Sequence, residues 1–124
     1  MSEPGVRVVS GSELERDEDE DGFLEVLRPS VSGVPGIWVS RFVTFKGGSV
    51  PPHFHTSNSI AYLVRGSAAF RTGEGFTDRH EMKAGDYITV PKNVAHMEET
   101  IGDETAEFLI VRDEGGGDTV YLDQ

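Results

Sequence analysis

Residues 47–66 read GGSVPPHFHTSNSIAYLVRG, and this stretch carries two histidines, His53 and His55, separated by one residue. Side chains two positions apart on an extended strand point to the same face, so both imidazoles project from one side of the chain. Pro51 and Pro52 stiffen the backbone immediately before them. The pattern predicts a pair of imidazoles held on a rigid strand, which is an arrangement suited to a metal ion.

A third histidine, His96, follows a turn at residues 91–93 and lies far from His53 and His55 along the chain. Only the folded chain could bring it beside the other two. Several divalent metals accept imidazole nitrogen ligands, so the sequence predicts a metal site formed by these three histidines. The fourth histidine, His80, lies in the charged segment TDRHEMK and is expected to face solvent, outside the site.

Short segments rich in β-branched and aromatic residues recur from residue 22 onward. Turns containing glycine, proline, asparagine and aspartate separate them. The segments are residues 23–27, 37–45, 60–64, 68–71, 87–90, 96–101, 106–112 and 119–122. A sheet of so many strands in 124 residues must close on itself to cover its edges. The sequence therefore predicts an all-β, jelly-roll barrel.

The chain carries 22 acidic and 11 basic residues, and its net charge of −11 repels nucleic-acid phosphates and anionic membrane surfaces. Neither nucleic acid nor a membrane is therefore expected as a partner. The chain has no cysteine, so nitrogen and oxygen atoms must hold any metal. The sequence lacks a secretory signal and any run of ~20 apolar residues, which predicts a soluble, cytoplasmic protein.

Residues 13–21 read ELERDEDED, and seven of these nine side chains are acidic. Such a run resists burial and repels itself when tightly wound, so we expect a solvated turn or a short frayed helix. We divide the chain into an N-terminal strand and acidic connector at residues 1–22 and one β-barrel domain at residues 23–124. The length suits a single core.

The spacing around the histidine pair resembles the first motif of the cupin superfamily. That motif reads glycine, five residues, His-x-His, three or four residues, glutamate, six residues, glycine. Four residues match it at the right spacing: Gly47, His53, His55 and Gly66.

The second cupin motif reads glycine, five residues, proline, one residue, glycine, two residues, histidine, three residues, asparagine. Gly85, Pro91 and His96 match it in order and spacing. Asn93 occupies the internal glycine position, and asparagine also tolerates a left-handed turn. The resemblance covers roughly residues 37–112 and implies the cupin-type double-stranded β-helix.

Two positions depart from these motifs. The glutamate position falls on Ser59, or on Asn58 if the loop is one residue shorter, and the final asparagine position falls on Thr100. The chain therefore looks like a three-histidine cupin with open positions for water, substrate or oxygen. Glu98 lies two positions beyond His96 and shares its face if the strand has no bulge, which makes Glu98 the candidate catalytic carboxylate.

Strand parity and the cupin motifs also suggest residues that line a substrate pocket. The sequence alone does not fix the strand register that decides whether Trp38 and Tyr62 face the pocket. The candidate pocket residues are Arg41, Ser59, Ala61 and Thr100.

Two classes of function fit such a site. Neutral imidazoles leave the charge of a divalent ion uncompensated, so a metal-dependent enzyme would favour a small anionic or chelating organic substrate. The resemblance implies an iron(II) dioxygenase first, with zinc, manganese or nickel and Lewis-acid isomerase, cyclase or lyase chemistry as alternatives. The other class is a non-catalytic small-molecule-binding or sensor protein. By analogy with cupins, a homodimer is expected, with residues 6–9 as a segment exchanged between edge strands.

Overall fold

A computed structural model describes residues 6–45 and 47–122, and most of these residues lie in short β-strands. Turns and short helical segments join the strands: the helix α1 (Pro29–Ser32) and the 3-10 turns Gly11–Glu13, Glu74–Phe76 and Glu114–Gly116. The strands are β1 (Glu15–Asp19), β2 (Gly22–Leu27), β3 (Trp38–Thr44), β4 (Ser49–His55), β5 (Ser59–Arg65), β6 (Ser67–Thr72), β7 (Asp78–Lys83), β8 (Tyr87–Val90), β9 (His96–Ile101), β10 (Ala106–Arg112) and β11 (Thr119–Tyr121).

The strands form two antiparallel sheets that pack face to face. The six-stranded sheet has the order β1-β2-β3-β10-β5-β8, and the five-stranded sheet has the order β11-β4-β9-β6-β7. Neighbouring strands are often distant in sequence, which is the connectivity of a jelly roll. The predicted all-β, jelly-roll fold is confirmed.

The acidic segment differs from the expectation of a turn or a frayed helix, which is wrong. Residues Glu15–Asp19 form β1, which pairs with β2 along its whole length. Every side chain of β1 is exposed, so its charges remain in water. Cations also compensate them, because Arg28 forms a salt bridge with Glu15 and Arg16 forms one with Glu18 at 3.2 Å.

A second strand, β7, was also not predicted, because its sequence, DRHEMK, consists mostly of charged residues. It pairs with β6 from Ser67 to Thr72, and Met82 is its one buried side chain. A strand that is hydrogen-bonded to a neighbouring strand and exposes one face to solvent needs few apolar residues. The alternation rule therefore detects it poorly.

The apolar core lies between the sheets. It contains Ala61, Leu63, Ala68, Phe70, Met82, Ala106 and Phe108. The ring of Phe108 stacks on Phe42 at 6.3 Å and meets the edge of Phe70 at 5.9 Å. Because β6 and β10 belong to different sheets, these rings hold the two sheets together around the histidine-bearing strands.

Residues 6–10 have no regular secondary structure in this single chain, and the first strand begins at Glu15. The predicted division of the chain also includes residues 1–5, 46 and 123–124, which lie outside the described residues. In the described part of the chain, no helix is both long enough and apolar enough to cross a membrane.

Candidate metal centre

The fold brings the three predicted histidines together inside the barrel. His53 and His55 end β4, and His96 begins β9 directly opposite His53 in the strand pairing. All three are buried, and one ring nitrogen from each lies within 4.8 Å of the others. The distance between ring centres is 4.2 Å for His53 and His96 and 4.8 Å for His53 and His55.

The two prolines explain how β4 presents His53. The β4–β9 ladder is irregular between Val50 and His53, where Pro51 and Pro52 have no N–H to donate. The carbonyl oxygen of Pro51 instead accepts a hydrogen bond from His53 Nδ1 at 2.8 Å. This bond places the proton on Nδ1 and leaves the Nε2 lone pair directed into the site.

The loop before β9 orients His96 in the same way. Asn93 has a positive φ of 67°, as the glycine position of the motif requires, and its N–H donates to the His55 carbonyl at 2.8 Å. The next residue, Val94, accepts a hydrogen bond from His96 Nδ1 at 3.1 Å. In its neutral form, His96 therefore also presents Nε2 as the acceptor.

His55 completes the set through side-chain contacts. Its Nε2 lies 3.2 Å from Nη2 of Arg112, and its Nδ1 lies 2.9 Å from the Thr119 hydroxyl. A guanidinium can only donate, so Nε2 accepts and Nδ1 carries the proton that is donated to Thr119. In their neutral forms, all three histidines consequently share one tautomer, with the proton on Nδ1 and the lone pair on Nε2.

Glu98 adds a carboxylate to this group of acceptors. Its Oε1 lies 3.3 Å from His96 Nε2 and 3.6 Å from His53 Nε2. Three acceptor atoms at this separation repel one another unless a proton or a metal cation lies among them. Similar separations are expected for two ligands about 2.1 Å from one divalent ion. The donor set therefore fits a divalent metal.

Burial favours the neutral forms of His53 and His55, and metal ligation requires a neutral imidazole. Burial lowers the pKa of His55 to about 3, with further lowering by Arg112. Burial also lowers the pKa of His53, although the Pro51 carbonyl and Glu98 oppose this shift. At neutral pH the Nε2 atoms of His53 and His55 thus carry no proton of their own, and an ion bound at His55 would replace the hydrogen bond that Nε2 accepts from Arg112.

These shifts predict acid sensitivity of the metal-free protein. His55 titrates near 6.5 when unfolded but near 3 when folded, so its contribution to stability is complete above pH 6.5 and falls as pH drops toward 3. The loss is about 1.4 kcal/mol per pH unit within that window. The thermal midpoint of chelator-treated protein should fall from about pH 7.5 to about pH 5.5, before most carboxylates titrate. A His55→Gln variant should show a flatter profile, and identical slopes would contradict the assignment.

Three of the four predicted pocket residues lie in different surroundings. Ser59 is buried at the site, where its hydroxyl accepts a hydrogen bond from Arg112 Nε at 3.1 Å. Ala61 is buried in the apolar core. Thr100 contacts the Thr44 hydroxyl and lines a small space that also borders Glu98.

Arg41 does not line the pocket, and that prediction is wrong. It lies opposite Leu109, which is exposed on the outer face of the six-stranded sheet. There it forms salt bridges with Glu25 and Glu107, both at 3.3 Å. The assumed strand parity was shifted by one residue, which moves a side chain to the other face. The interior face of β3 instead carries Trp38.

Sequence reasoning missed Arg112 as a residue of the centre. Arg112 lies at the end of β10, four residues beyond the buried Phe108, so strand alternation directs it inward. Its guanidinium lies 4.4 Å from the centre of the Trp38 ring. Burial lowers its pKa to about 10, which still leaves it charged at neutral pH. A cation at an inward-facing position of a strand was the available signal.

A cavity of about 550 Å³ opens beside the centre, between β7 and β8. Met82, Ile88 and Val94 contribute apolar surface to it, and the exposed His80 lies at its wall, where it contacts the Thr72 hydroxyl. Phe70 lines the same cavity and stacks on His96 at 5.8 Å. One aromatic ring thus lies between this cavity and the histidine group.

The two-sheet barrel and its buried group of three histidines place the protein in a class: jelly-roll proteins with a candidate metal centre inside the barrel. Comparison with protein families agrees, because the family model described as "Cupin domain" matches residues 41–112. The chain therefore belongs to the cupin family. This match contains the whole histidine group, Glu98 and Arg112.

Individual relatives extend the comparison. A germin-like protein, subfamily 3 member 2, from Arabidopsis thaliana is 33% identical over 72 residues, which cover 52% of this chain and 30% of that protein. A Bacillus subtilis oxalate decarboxylase structure, described for its Mn(II) centres, superposes with a TM-score of 0.82 at 21% identity over 92% of this chain and 32% of the other. A Lactobacillus farciminis oxalate decarboxylase in complex with formate gives 0.78 at 25% identity over 90% and 34%. The chain thus spans about a third of the length of these relatives.

Proposed function

We propose that the protein is a divalent-metal-dependent enzyme that acts on a small, anionic, chelating organic substrate. The observation that carries this proposal is the convergence of three histidine Nε2 atoms and one carboxylate oxygen in a buried site. A purely structural polar cluster would pair acceptors with donors. Here the acceptors of His53, His96 and Glu98 face one another, which a bound cation would stabilise.

Manganese is the first ion to test. The Mn(II) centres of B. subtilis oxalate decarboxylase support it, whereas the iron expected from three-histidine cupins has no specific support among these neighbours. Imidazole donors, together with the carboxylate oxygens of a bound substrate, also suit manganese. The same neighbours support carboxylates such as oxalate as the first substrates to assay.

The chain's own residues have separable roles in this proposal. His53, His55 and His96 would hold the ion, and the hydrogen bonds at their Nδ1 atoms set ring orientation. A divalent ion bound there would polarise substrate oxygens and stabilise negative charge that develops on them. Glu98, whose carboxylate faces the centre, would accept a proton from the bound substrate or water.

The test is elemental analysis of protein purified without a chelator or an affinity tag, followed by turnover assays. Near-stoichiometric metal is expected, with turnover of oxalate or a related carboxylate or enolate after loading with manganese. Metal without turnover of any such substrate would favour the binding or sensor class. Absence of metal, together with a thermal midpoint that added ions leave unchanged, would refute the metal centre.

Glu98→Gln tests the proton-transfer role directly. The substitution keeps shape and hydrogen bonding but removes the basic carboxylate, so kcat should fall by about 10²- to 10⁴-fold. Metal content should stay near that of the wild type, because all three histidines remain. Glu99→Gln is the matched control, since Glu99 is the neighbouring residue on β9 and pairs with Arg71 and Arg79 away from the centre. Loss of metal from Glu98→Gln would identify Glu98 as a ligand instead.

A further inference from the structure

Among the strand arginines of the described residues, Arg112 alone has no carboxylate oxygen within 4.0 Å of its guanidinium, and the charge of Glu98 acts on it only from a greater distance. Within residues 6–45 and 47–122, six arginines have a glutamate oxygen within 4.0 Å of the guanidinium: Arg16, Arg28, Arg41, Arg65, Arg71 and Arg79. In that same part of the chain, no carboxylate oxygen lies so close to Arg112. The chain has twice as many acidic as basic residues, so the missing partner is not explained by a shortage of acids.

The contacts of Arg112 hold its guanidinium at the histidine group. Nε donates to the Ser59 hydroxyl at 3.1 Å, Nη2 reaches His55 Nε2 at 3.2 Å, and one face covers the Trp38 ring. Neither Ser59 nor Asn58, the two candidates for the glutamate position of the cupin motif, carries a carboxylate that could pair with Arg112. An ion bound at His55 Nε2 would replace the contact with Nη2, while the Ser59 hydrogen bond and the Trp38 contact would keep the guanidinium beside the ion, with Nη2 free to bind a ligand.

The charge balance then indicates what must enter. Three neutral imidazoles, a divalent ion, the Arg112 cation and the Glu98 anion leave two positive charges uncompensated in a largely buried site. Two adjacent cations are stable there only if an anion lies between them. A guanidinium fork matches the two oxygens of a carboxylate, while a second carboxylate oxygen can reach the metal.

We infer that Arg112 is the specificity-determining residue of the centre and that the ligand it recognises is a small dicarboxylate dianion. This inference rests on the proposed metal-dependent function and names its substrate class. Arg112 binds one carboxylate, and Ser59 and Trp38 position its guanidinium. The ligand's other oxygens meet the ion held by the histidines.

The experiment is calorimetric titration of zinc-loaded protein, because zinc supports no redox turnover of the probe. Malonate is the dianionic probe, and imidazole is a neutral ligand that needs only the metal. For Arg112→Met, malonate affinity should fall by about 10- to 100-fold, whereas imidazole affinity should change by less than about twofold. Arg112→Lys should restore part of the malonate affinity, because it returns the charge without the fork.

Arg41→Met is the matched control, because Arg41 lies on the outer face of the same sheet and its charge should not affect malonate binding. Ser59→Ala should weaken malonate binding by a smaller factor of about 3 to 10, since it removes one hydrogen bond of the guanidinium. Equal malonate affinity in the wild type and Arg112→Met, with zinc content intact, would overturn the role of Arg112 and leave the metal centre standing. A zinc-loaded wild type that does not bind malonate would overturn the dicarboxylate assignment. Wild-type protein that retains no zinc or other divalent ion would overturn the proposed function itself.

Discussion

The His96→Ala variant is expected to lose metal affinity by about 100-fold or more, which corresponds to about 3 kcal/mol of binding free energy. His96 supplies one of three imidazoles whose Nε2 atoms face one point, and it lies directly opposite His53 on the neighbouring strand. Removal of its ring leaves two imidazoles that share a single strand. Metal content after dialysis, together with the rise in thermal midpoint on adding manganese or zinc, measures the effect.

The control for this variant is His80→Ala. His80 is exposed and contacts the Thr72 hydroxyl, away from the histidine group. Its substitution should leave metal content at the wild-type level. If both variants retain equal metal, or if neither the wild type nor His80→Ala binds any, the three histidines do not form a metal site.

Phe108→Ala is expected to have the largest effect on folding, with a loss of about 3–5 kcal/mol in the free energy of unfolding. Phe108 is 2% exposed and contacts both Phe42 and Phe70, so its removal leaves a cavity between the sheets. A domain of this size is typically stable by only about 5–15 kcal/mol. Chemical denaturation in the presence and absence of metal measures the change, because bound metal offsets part of the loss.

Leu109→Ala is the matched control on the same strand. Leu109 is 43% exposed on the outer face of the six-stranded sheet, so its truncation removes little buried contact. Its effect should stay below about 1 kcal/mol. Comparable losses for the two variants would mean that the alternation of β10 is assigned to the wrong faces.

The histidine site was predictable because two of its three ligands are local in sequence. A single intervening residue places His53 and His55 on one strand face whatever the rest of the chain does. The turns are also local signals, because glycine and asparagine tolerate the positive φ angles that tight turns require, and Asn93 has such a φ. Most strands were predictable for the same reason, since β-branched runs between turn residues are local signals.

The pocket was harder to predict because strand parity carries no information about register between strands. Arg41 was assigned to the interior, but the pairing of β3 with β10 places it outside and turns Trp38 inward. Arg112 needs the same pairing to reach Ser59 and His55, which are more than fifty residues away in sequence. A one-residue change in register reverses both assignments.

Composition and local spacing were therefore sufficient for the class of fold, the histidine group and the candidate carboxylate Glu98. Only the tertiary structure places Arg112 beside His55 and Arg41 outside the site. It also shows that the acidic segment pairs with β2 as strand β1. The physical reason is that turn and strand preferences act over a few residues, whereas register and inter-sheet contacts depend on the whole buried surface. The chemistry of the centre depends on both local sequence and tertiary structure. Single strands supply the histidine ligands, and pairing between strands that are distant in sequence brings Arg112 beside them.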